Sequence, residues 1–192
     1  WGLGTSLGRS HCTFPEGVAF DILSCFLAGI DRTAAYVFPM GYDNRYWAAQ
    51  ARATDTAAQF EGYVRDGRRI AHHVLVPASP VPTVAAGSLL RSFEFERPEG
   101  RLVAVGNFWE EGEAFFRLSV TNLAADARFE LFEPLERRQY AAPSGETAWT
   151  ADELAHGILL HAGRLRWVFL ALHPAGQEPP EANLVRPEEM AA

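Results

Sequence analysis

The spacing of apolar residues changes near Val74, and this change limits the possible folds more than any other feature of the sequence. Before it, apolar residues recur at three- and four-residue intervals, as on a helix that buries one face. After it, they alternate with polar residues or form short runs, as in β-strands. Pro77, Pro80 and Pro82 follow the change. The sequence therefore predicts an α+β fold with a helical part first and a β part second.

The predicted domain organisation has four segments. They are a partial β/α unit at 1–73, a Pro-rich linker at 74–83, an antiparallel β-sandwich at 84–173 and an extended or disordered tail at 174–192. The β part is expected to be antiparallel because its apolar runs are short and mostly alternating.

The first segment is predicted to contain two helices around one buried strand. Apolar residues cover most of a helical circumference from Gly17 to Ile30, and a second helical pattern runs from Asn44 to Arg65. Between them, Ala34–Pro39 is an almost unbroken apolar run, which suits a strand buried on both faces. We expect this strand to pair with a neighbour outside the chain, because an unpaired apolar edge is an aggregation hazard.

Two hairpins are predicted in the β part. Leu102–Trp109 and Ala114–Thr121 are separated by an acidic turn that contains glycine, and a second pair runs from Ile158 to Leu172. A short helix is predicted between the hairpins, since Thr150 and Glu153 have the spacing of a capping box.

All 17 basic residues are Arg, and this excludes sites that need a lysine. A Schiff-base lysine and the lysine of a phosphate-binding P-loop are both absent. The net charge is −7, and residues 76–192 contain ten Arg against seventeen acids. An acidic surface without a basic stripe repels phosphate backbones, so we expect no nucleic-acid partner. No apolar run approaches the roughly 20 residues of a membrane helix, so no membrane partner is expected either.

Cysteine and histidine patterns give no support for a metal or a cofactor. Cys-x-x-Cys and His-Glu-x-x-His are absent, and His72 and His73 have no spaced partner, so they are interpreted as boundary histidines. Cys12 and Cys25 are expected to be unpaired thiols, and a cytoplasmic location is favoured. The chain begins at Trp1, and we expect translation to start upstream of it.

The clearest candidate site is the turn between the predicted strand and the second helix. Its candidate ligand contacts are Tyr42, Asp43, Arg45 and Trp47, with His11 in the Gly-rich N-terminal segment as a further one. Aromatic rings stack on the C–H face of a sugar, and charged groups bond its hydroxyls, so the turn predicts sugar binding. In the structural alternative, Asp43 caps the helix, Trp47 lies in the core and Arg45 pairs with an acid.

Acidic and aromatic residues of the β part allow two interpretations each. The acids within 110–113 form a carboxylate group, but at a turn they are most simply solvent-facing charges. Trp109, Trp149 and Trp167 could form a sugar-stacking platform, whereas Trp167 alternates with apolar residues, which favours its burial.

The order of elements resembles the C-terminal end of a retaining or inverting glycoside hydrolase built on a (β/α)8 barrel. The residues that carry this resemblance are Gly17–Ile30, Ala35–Phe38, Tyr46–Ala51, Phe60-Glu61 and Asp66-Gly67. The resemblance implies that residues 1–73 supply the last β/α units and that a β-sandwich follows. It assigns no catalytic residue to this chain, because such enzymes usually carry their two carboxylates on earlier strands.

Two functions are expected from these observations. The leading one is the C-terminal portion of a glycoside hydrolase, inactive alone, which contacts an oligosaccharide or glycoside substrate at the barrel mouth. Its other partner is the chain or upstream segment that completes the barrel. The alternative is a non-catalytic carbohydrate-binding or assembly module that packs on a partner chain.

Overall fold

The chain divides into two compact units between Asp66 and Gly67. The structure is a computed structural model that describes residues 14–30, 44–84 and 87–177. Helices take up 28% and strands 41% of the described residues, and every pairing between the described strands is antiparallel. The α+β class is therefore confirmed. The boundary between the units lies earlier in the chain than the predicted linker.

Two helices form the described part of the first unit: α1 (Pro15–Leu27) and α2 (Asn44–Arg65). α1 begins at Pro15, whose fixed φ and missing N–H suit the first helical position, and Gly29 with a φ of 78° follows its end. Buried residues recur with helical spacing, and the two helices pack together. These residues are Phe20, Leu23 and Leu27 on α1 and Ala49, Ala53, Thr56, Phe60 and Tyr63 on α2.

Both predicted helices are confirmed, although the first one begins earlier than Gly17 and ends before Ile30. The predicted strand Ala34–Pro39 lies outside the described residues, and so does the tail at 178–192. The pairing expected for that strand therefore stays a prediction.

The second unit contains twelve described strands and one short helix. In chain order they are β1 (Arg68–Ile70), β2 (His73–Pro77), β3 (Thr83–Val84), β4 (Gly87–Ser88), β5 (Leu90–Arg97), β6 (Gly100–Asn107), β7 (Ala114–Val120), β8 (Arg128–Glu133), β9 (Arg138–Tyr140), β10 (Ala148–Thr150), α3 (Ala151–His156), β11 (Ile158–Ala162) and β12 (Arg166–Pro174).

These strands form three sheets. The large sheet has the order β1-β5-β6-β12-β8-β10, with β9 also paired to β8. The small sheet has the order β11-β7-β2, and β3 pairs only with β4. β1 and β2 are joined by Ala71 and His72 alone, yet they belong to different sheets. This short segment therefore supplies one edge strand to each of the two main sheets.

The segment predicted as a linker begins with a strand. Val74 to Pro77 pair with Ser119 to Phe116 in the small sheet, so the linker is shorter than the predicted 74–83. Pro77 is the last residue of an edge strand, where a missing N–H disturbs the ladder least. Pro77, which we interpreted as part of a linker, is therefore the last residue of a strand.

Both predicted hairpins are wrong, because the two strands of each pair lie in different sheets. β6 pairs with β5 and β12 on its two sides, so no side remains for β7, which pairs with β2 and β11. The chain crosses again between β11 and β12. At these crossings the buried Asn107 donates its side-chain amide to the carbonyls of Gly112 (2.9 Å), Ala162 (3.2 Å) and Gly163 (3.1 Å).

One hydrophobic core is shared by the large and small sheets. The large sheet contributes residues from β6, β8 and β12, and the small sheet contributes residues from β7 and β11. Among them are Val103, Val105, Leu131, Leu170 and Leu172 from the large sheet and Phe116, Leu118, Val120, Ile158 and Leu160 from the small sheet.

The capping box of α3 is confirmed: the Thr150 hydroxyl accepts from the Glu153 N–H, and the Glu153 carboxylate accepts from the Thr150 N–H.

The tryptophans of this unit do not form an exposed platform. Trp149 is buried and donates its indole N–H to the Tyr140 carbonyl at 2.9 Å. Trp167 is also buried, as its alternation with apolar residues predicts. It lies so close to Gly106 that a Cβ there would come within 2.8 Å of its ring, which explains a glycine in the middle of β6. Trp109 is half-buried.

Candidate functional site

The predicted sugar-binding turn is only partly described. His11, Tyr42 and Asp43 lie outside the described residues. Arg45 and Trp47 lie in the first turn of α2, and both are exposed. Trp47 is 46% exposed, so the alternative that placed it in the core is wrong for this residue.

A buried group of charged side chains lies where β2 of the small sheet meets β5 and β6 of the large sheet. We call it the Glu94 cluster and define it as His73, Ser92, Glu94, Glu96 and Arg101. Ser92, Glu94 and Glu96 alternate along β5 and share one of its faces. His73 was singled out from the sequence as a boundary residue, but its partners were not. Two acids and an arginine on facing strands were the only available signal.

Glu94 lies at the centre of this cluster and its side chain is fully buried. Its Oε2 accepts from the His72 N–H at 2.6 Å and from Nδ1 of His73 at 3.0 Å, while Oε1 lies 3.3 Å from Nη1 of Arg101. Burial alone would raise the pKa of Glu94. The hydrogen bonds from His73 and His72 and the Arg101 charge outweigh burial, and they hold the pKa below its usual value.

Arg101 connects the cluster to the neighbouring strands. Its guanidinium donates to the carbonyls of Thr121 (2.8 Å) and Asn122 (2.6 Å), which follow β7, and pairs with Glu96 at 3.1 Å. Glu96 also accepts from the Arg68 guanidinium on β1, and this bond is the main reason why its pKa is lowered. The charge of Arg101 is therefore compensated on both sides.

Ser92, His73 and Glu94 form a continuous hydrogen-bonded chain. The Ser92 hydroxyl lies 2.7 Å from Nε2 of His73, whose Nδ1 faces Glu94, so the bonding pattern places the imidazole proton on Nδ1. Hydroxyl, imidazole and carboxylate in this order can activate a nucleophile. Here, however, the carboxylate is shared with Arg101, and the contacts join a strand of the small sheet to two strands of the large sheet. We therefore interpret the Glu94 cluster as a link between the sheets.

A second group of polar and aromatic residues lies on the opposite side of the small sheet, away from the core. We call this surface the outer face. Along β7 and β11 buried and exposed residues alternate, as expected for a sheet with one solvated face. The exposed residues of the three strands on this face are Val74, Val76, Phe115, Arg117, Leu159 and His161.

Aromatic rings and charges are in contact at one end of the outer face. The Phe115 and His161 rings have centroids 4.7 Å apart and an interplanar angle of 30°. Nε2 of His161 lies 3.0 Å from the Glu113 carboxylate, and the Arg117 guanidinium donates to the Gly157 carbonyl at 3.1 Å. Glu113 is exposed, as predicted, but it is paired with a histidine.

A second buried carboxyl group forms no ion pair among the described residues, although Arg138 lies opposite it in the pairing of β8 with β9. Glu133, at the end of β8, is 4% exposed. Burial raises the pKa of Glu133 to about 7, although its carboxylate accepts a hydrogen bond from the Glu136 N–H at 2.6 Å. The turn that follows β8 is thus held by a carboxyl group that titrates near neutral pH.

Within the described ranges, no group of three or more His, Cys, Asp or Glu side chains is arranged to hold a metal ion. Among the helices that the structure describes, none is long and apolar enough to cross a membrane. Cys25 is a free thiol. No protein-family model matches the chain, and no curated protein matches it.

Proposed function

We propose that this chain is the C-terminal portion of a carbohydrate-active glycoside hydrolase. In this proposal the first unit completes a (β/α)8 barrel, and the second unit is a non-catalytic β-sandwich. The observation that carries the proposal is the order of the two units. Two packed helices precede an antiparallel unit in which the large and small sheets share one core.

The carboxyl groups of the second unit support a non-catalytic role. A glycosidase needs two carboxyl groups about 5–5.5 Å or about 6.5–9.5 Å apart, one of which must be protonated to act as the acid. Glu94 and Glu96 are engaged by arginines, and their lowered pKa values keep them ionised. Glu133 has a raised pKa, but it is buried and holds a turn.

The substrate contacts of this chain are assigned to the turn that leads into α2. Arg45 and Trp47 are exposed in the first turn of that helix, where a ligand can reach them. Tyr42, Asp43 and His11 are proposed to complete the contacts. The catalytic carboxylates are assigned to residues outside this chain.

Assays of the complete natural gene product and of the isolated 192-residue chain test the proposal. Both are incubated with p-nitrophenyl glycosides of glucose, galactose, mannose and xylose, and with soluble polysaccharides monitored by release of reducing ends. We expect the complete product to hydrolyse at least one substrate. The isolated chain, shown to be folded by a cooperative thermal transition, should hydrolyse none. Turnover by the isolated chain, or none by the complete product, would overturn the proposal.

The alternative function, a non-catalytic carbohydrate-binding or assembly module, is favoured by one observation. The outer face of the small sheet exposes Val74, Val76, Phe115 and Leu159 together. Exposed apolar groups that adjoin one another mark binding surfaces more often than scattered ones do.

A further inference from the structure

The outer face of the small sheet gathers most of the large apolar side chains that are exposed. Of the seven that are exposed among the described residues, four lie on this face: Val74, Val76, Phe115 and Leu159. Arg117 lies on the central strand directly between Leu159 of β11 and Val76 of β2. Neighbouring strands are about 4.8 Å apart, so these side chains form one continuous patch. Such a patch marks a protein contact more often than single exposed apolar residues do.

Two opposite charges lie on this face at equal distances from its central ring. Exposed and buried residues alternate from Glu113 to Arg117, so both charges and Phe115, midway between them, project to the outer face. Four residues of an extended strand span about 13 Å, which is too far for the two charges to pair within one chain. Glu113 instead lies 3.0 Å from His161. Among the described residues, Arg117 forms no ion pair and donates to the Gly157 carbonyl.

A two-fold axis at Phe115 makes these charges complementary between two copies of the chain. If a second copy packs its outer face on the first with the two β7 strands antiparallel, the residue two positions before Phe115 meets the residue two positions after it. Glu113 of each copy then faces Arg117 of the other, and the two Phe115 rings meet at the axis. Sheets that pack face to face lie about 10 Å apart, a distance that long side chains bridge from both sides.

The burial cost of Arg117 favours a second copy over an unrelated protein. A partner that covers this face removes the guanidinium from water, which is costly unless the partner supplies a well-placed carboxylate. A second copy supplies this carboxylate through Glu113, and the symmetry supplies it twice. An unrelated partner would need a carboxylate and a cation of its own at the same spacing of about 13 Å.

The size of the outer face limits the strength of this contact. Three strands about 4.8 Å apart and about five residues long cover an area of about 15 by 17 Å. This area is well below the roughly 800 Å² that each partner of a standard interface buries. The dimer should therefore exchange with the monomer, with a dissociation constant of about 10 µM or more.

We propose that the outer face is the contact between two copies of this chain in a weak, two-fold symmetric dimer, with Phe115 at the axis and Glu113 of each copy paired with Arg117 of the other. The residues that carry this inference all belong to the second unit. The inference does not rest on the proposed glycoside hydrolase role, because it follows from the charges and apolar groups of one sheet face.

Sedimentation velocity of the intact chain tests the dimer. The weight-average mass is followed from about 1 to about 300 µM, a range that covers transient interfaces, and we expect it to rise towards that of a dimer. Phe115→Asp, which brings two carboxylates together at the axis, should weaken association about a hundredfold or more. Val84→Asp introduces the same charge at an exposed position of β3, outside the outer face, and should associate like the natural chain.

Charge exchange tests the symmetry. Glu113→Arg and Arg117→Glu each place like charges opposite each other in the dimer, so each variant alone should associate at least about tenfold more weakly. The double variant with both substitutions restores the opposite charges and should associate like the natural chain. Because the second substitution restores association, the single variants cannot owe their loss to misfolding, and melting temperatures of all variants check this independently.

Three outcomes overturn the inference. One is a chain that stays monomeric over the whole concentration range, which would leave the outer face to another partner, such as an upstream segment of the natural gene product or an oligosaccharide. Another is association that survives Phe115→Asp, which would place the contact elsewhere on the chain. The third is a double variant that associates no better than Glu113→Arg or Arg117→Glu alone, because the two charges would then not face each other.

Discussion

Two histidines of the small sheet pair with glutamates at the same distance but in opposite surroundings. His73 and Glu94 are 3.0 Å apart with side chains 10% and 0% exposed, and His161 and Glu113 are 3.0 Å apart with side chains 45% and 63% exposed. The first pair continues into an arginine and a serine, whereas water surrounds much of the second. A charged group in low dielectric interacts strongly but is costly without partners. The distance alone therefore says little about what each pair contributes.

Glu133 extends this comparison, because it is buried like Glu94 but forms no ion pair among the described residues, even with Arg138 on the neighbouring strand. The pKa of Glu94 is lowered and that of Glu133 is raised to about 7. Burial opposes ionisation in both groups, so the partners decide the direction. The free energy of unfolding should therefore respond very differently to changes at the three carboxyl groups.

The largest effect is expected from Arg101→Ala. This substitution leaves the buried Glu94 without its arginine and leaves Glu96 paired with Arg68 alone. Removing one partner of a buried ion pair costs about 3–5 kcal/mol of stability. Urea denaturation followed by tryptophan fluorescence measures the loss, with Arg117→Ala on the exposed outer face as the matched control, expected within about 0.5 kcal/mol. Similar losses in the two variants would mean that the Glu94 cluster contributes no more than surface charge.

Glu133→Gln should change the pH dependence of stability. A carboxyl group whose pKa rises from 4.5 to about 7 on folding binds more protons in the folded state between these values. The natural chain should therefore lose roughly 3 kcal/mol as the pH rises from 4.5 to 7. The glutamine variant should lack this loss and be the more stable form at pH 8. Parallel denaturation curves from pH 4 to 8 measure it, and identical pH profiles would contradict the raised pKa.

The smallest effects are expected at the two paired glutamates. Glu94→Gln should cost about 1–3 kcal/mol at pH 7, because a buried hydrogen-bonded charge is lost. The lowered pKa of Glu94 means that its contribution is present above the ordinary value of 4.5 and disappears as the pH falls through the folded-state pKa. The difference between variant and natural chain should therefore shrink below about pH 4.

Glu113→Gln should cost at most about 1 kcal/mol, because its pair with His161 is exposed. Added salt at 1 M should remove this cost but leave most of the Glu94→Gln effect, since buried pairs are screened less. Denaturation at low and high salt distinguishes the two. If salt reduces the stability cost of both substitutions equally, the buried pair and the exposed pair do not differ in screening.

Local patterns predicted the elements well. The second helix has the bounds Asn44 and Arg65 expected from its periodicity, and the capping box at Thr150 needs only a serine- or threonine-to-glutamate spacing. The alternation on β7 likewise reflects the burial that this strand experiences along its own length. These features could be predicted from the sequence because residues close together in the chain determine them.

The strand pairing and the Glu94 cluster could not be predicted from the sequence, for a physical reason. A Gly-bearing turn after β6 is compatible both with a hairpin and with a crossing, and the occupied sides of β6 that decide between them belong to distant strands. On β5, Phe93 and Phe95 occupy one face, and Ser92, Glu94 and Glu96 occupy the other. The second face lies between the sheets, where Glu94 meets His73 of a strand about twenty residues earlier. Alternation shows two faces but not which one water reaches.

The short connection between β1 and β2 determines where this chain can be cut. Truncation after Pro77 would remove β1 from the large sheet and β2 from the small one. Unprotected backbone would then be exposed along β5 and β7 at once, and both strands would become templates for pairing with other molecules. A soluble fragment of the β-rich unit must therefore begin no later than Gly67, whereas one that begins at Val84 should aggregate.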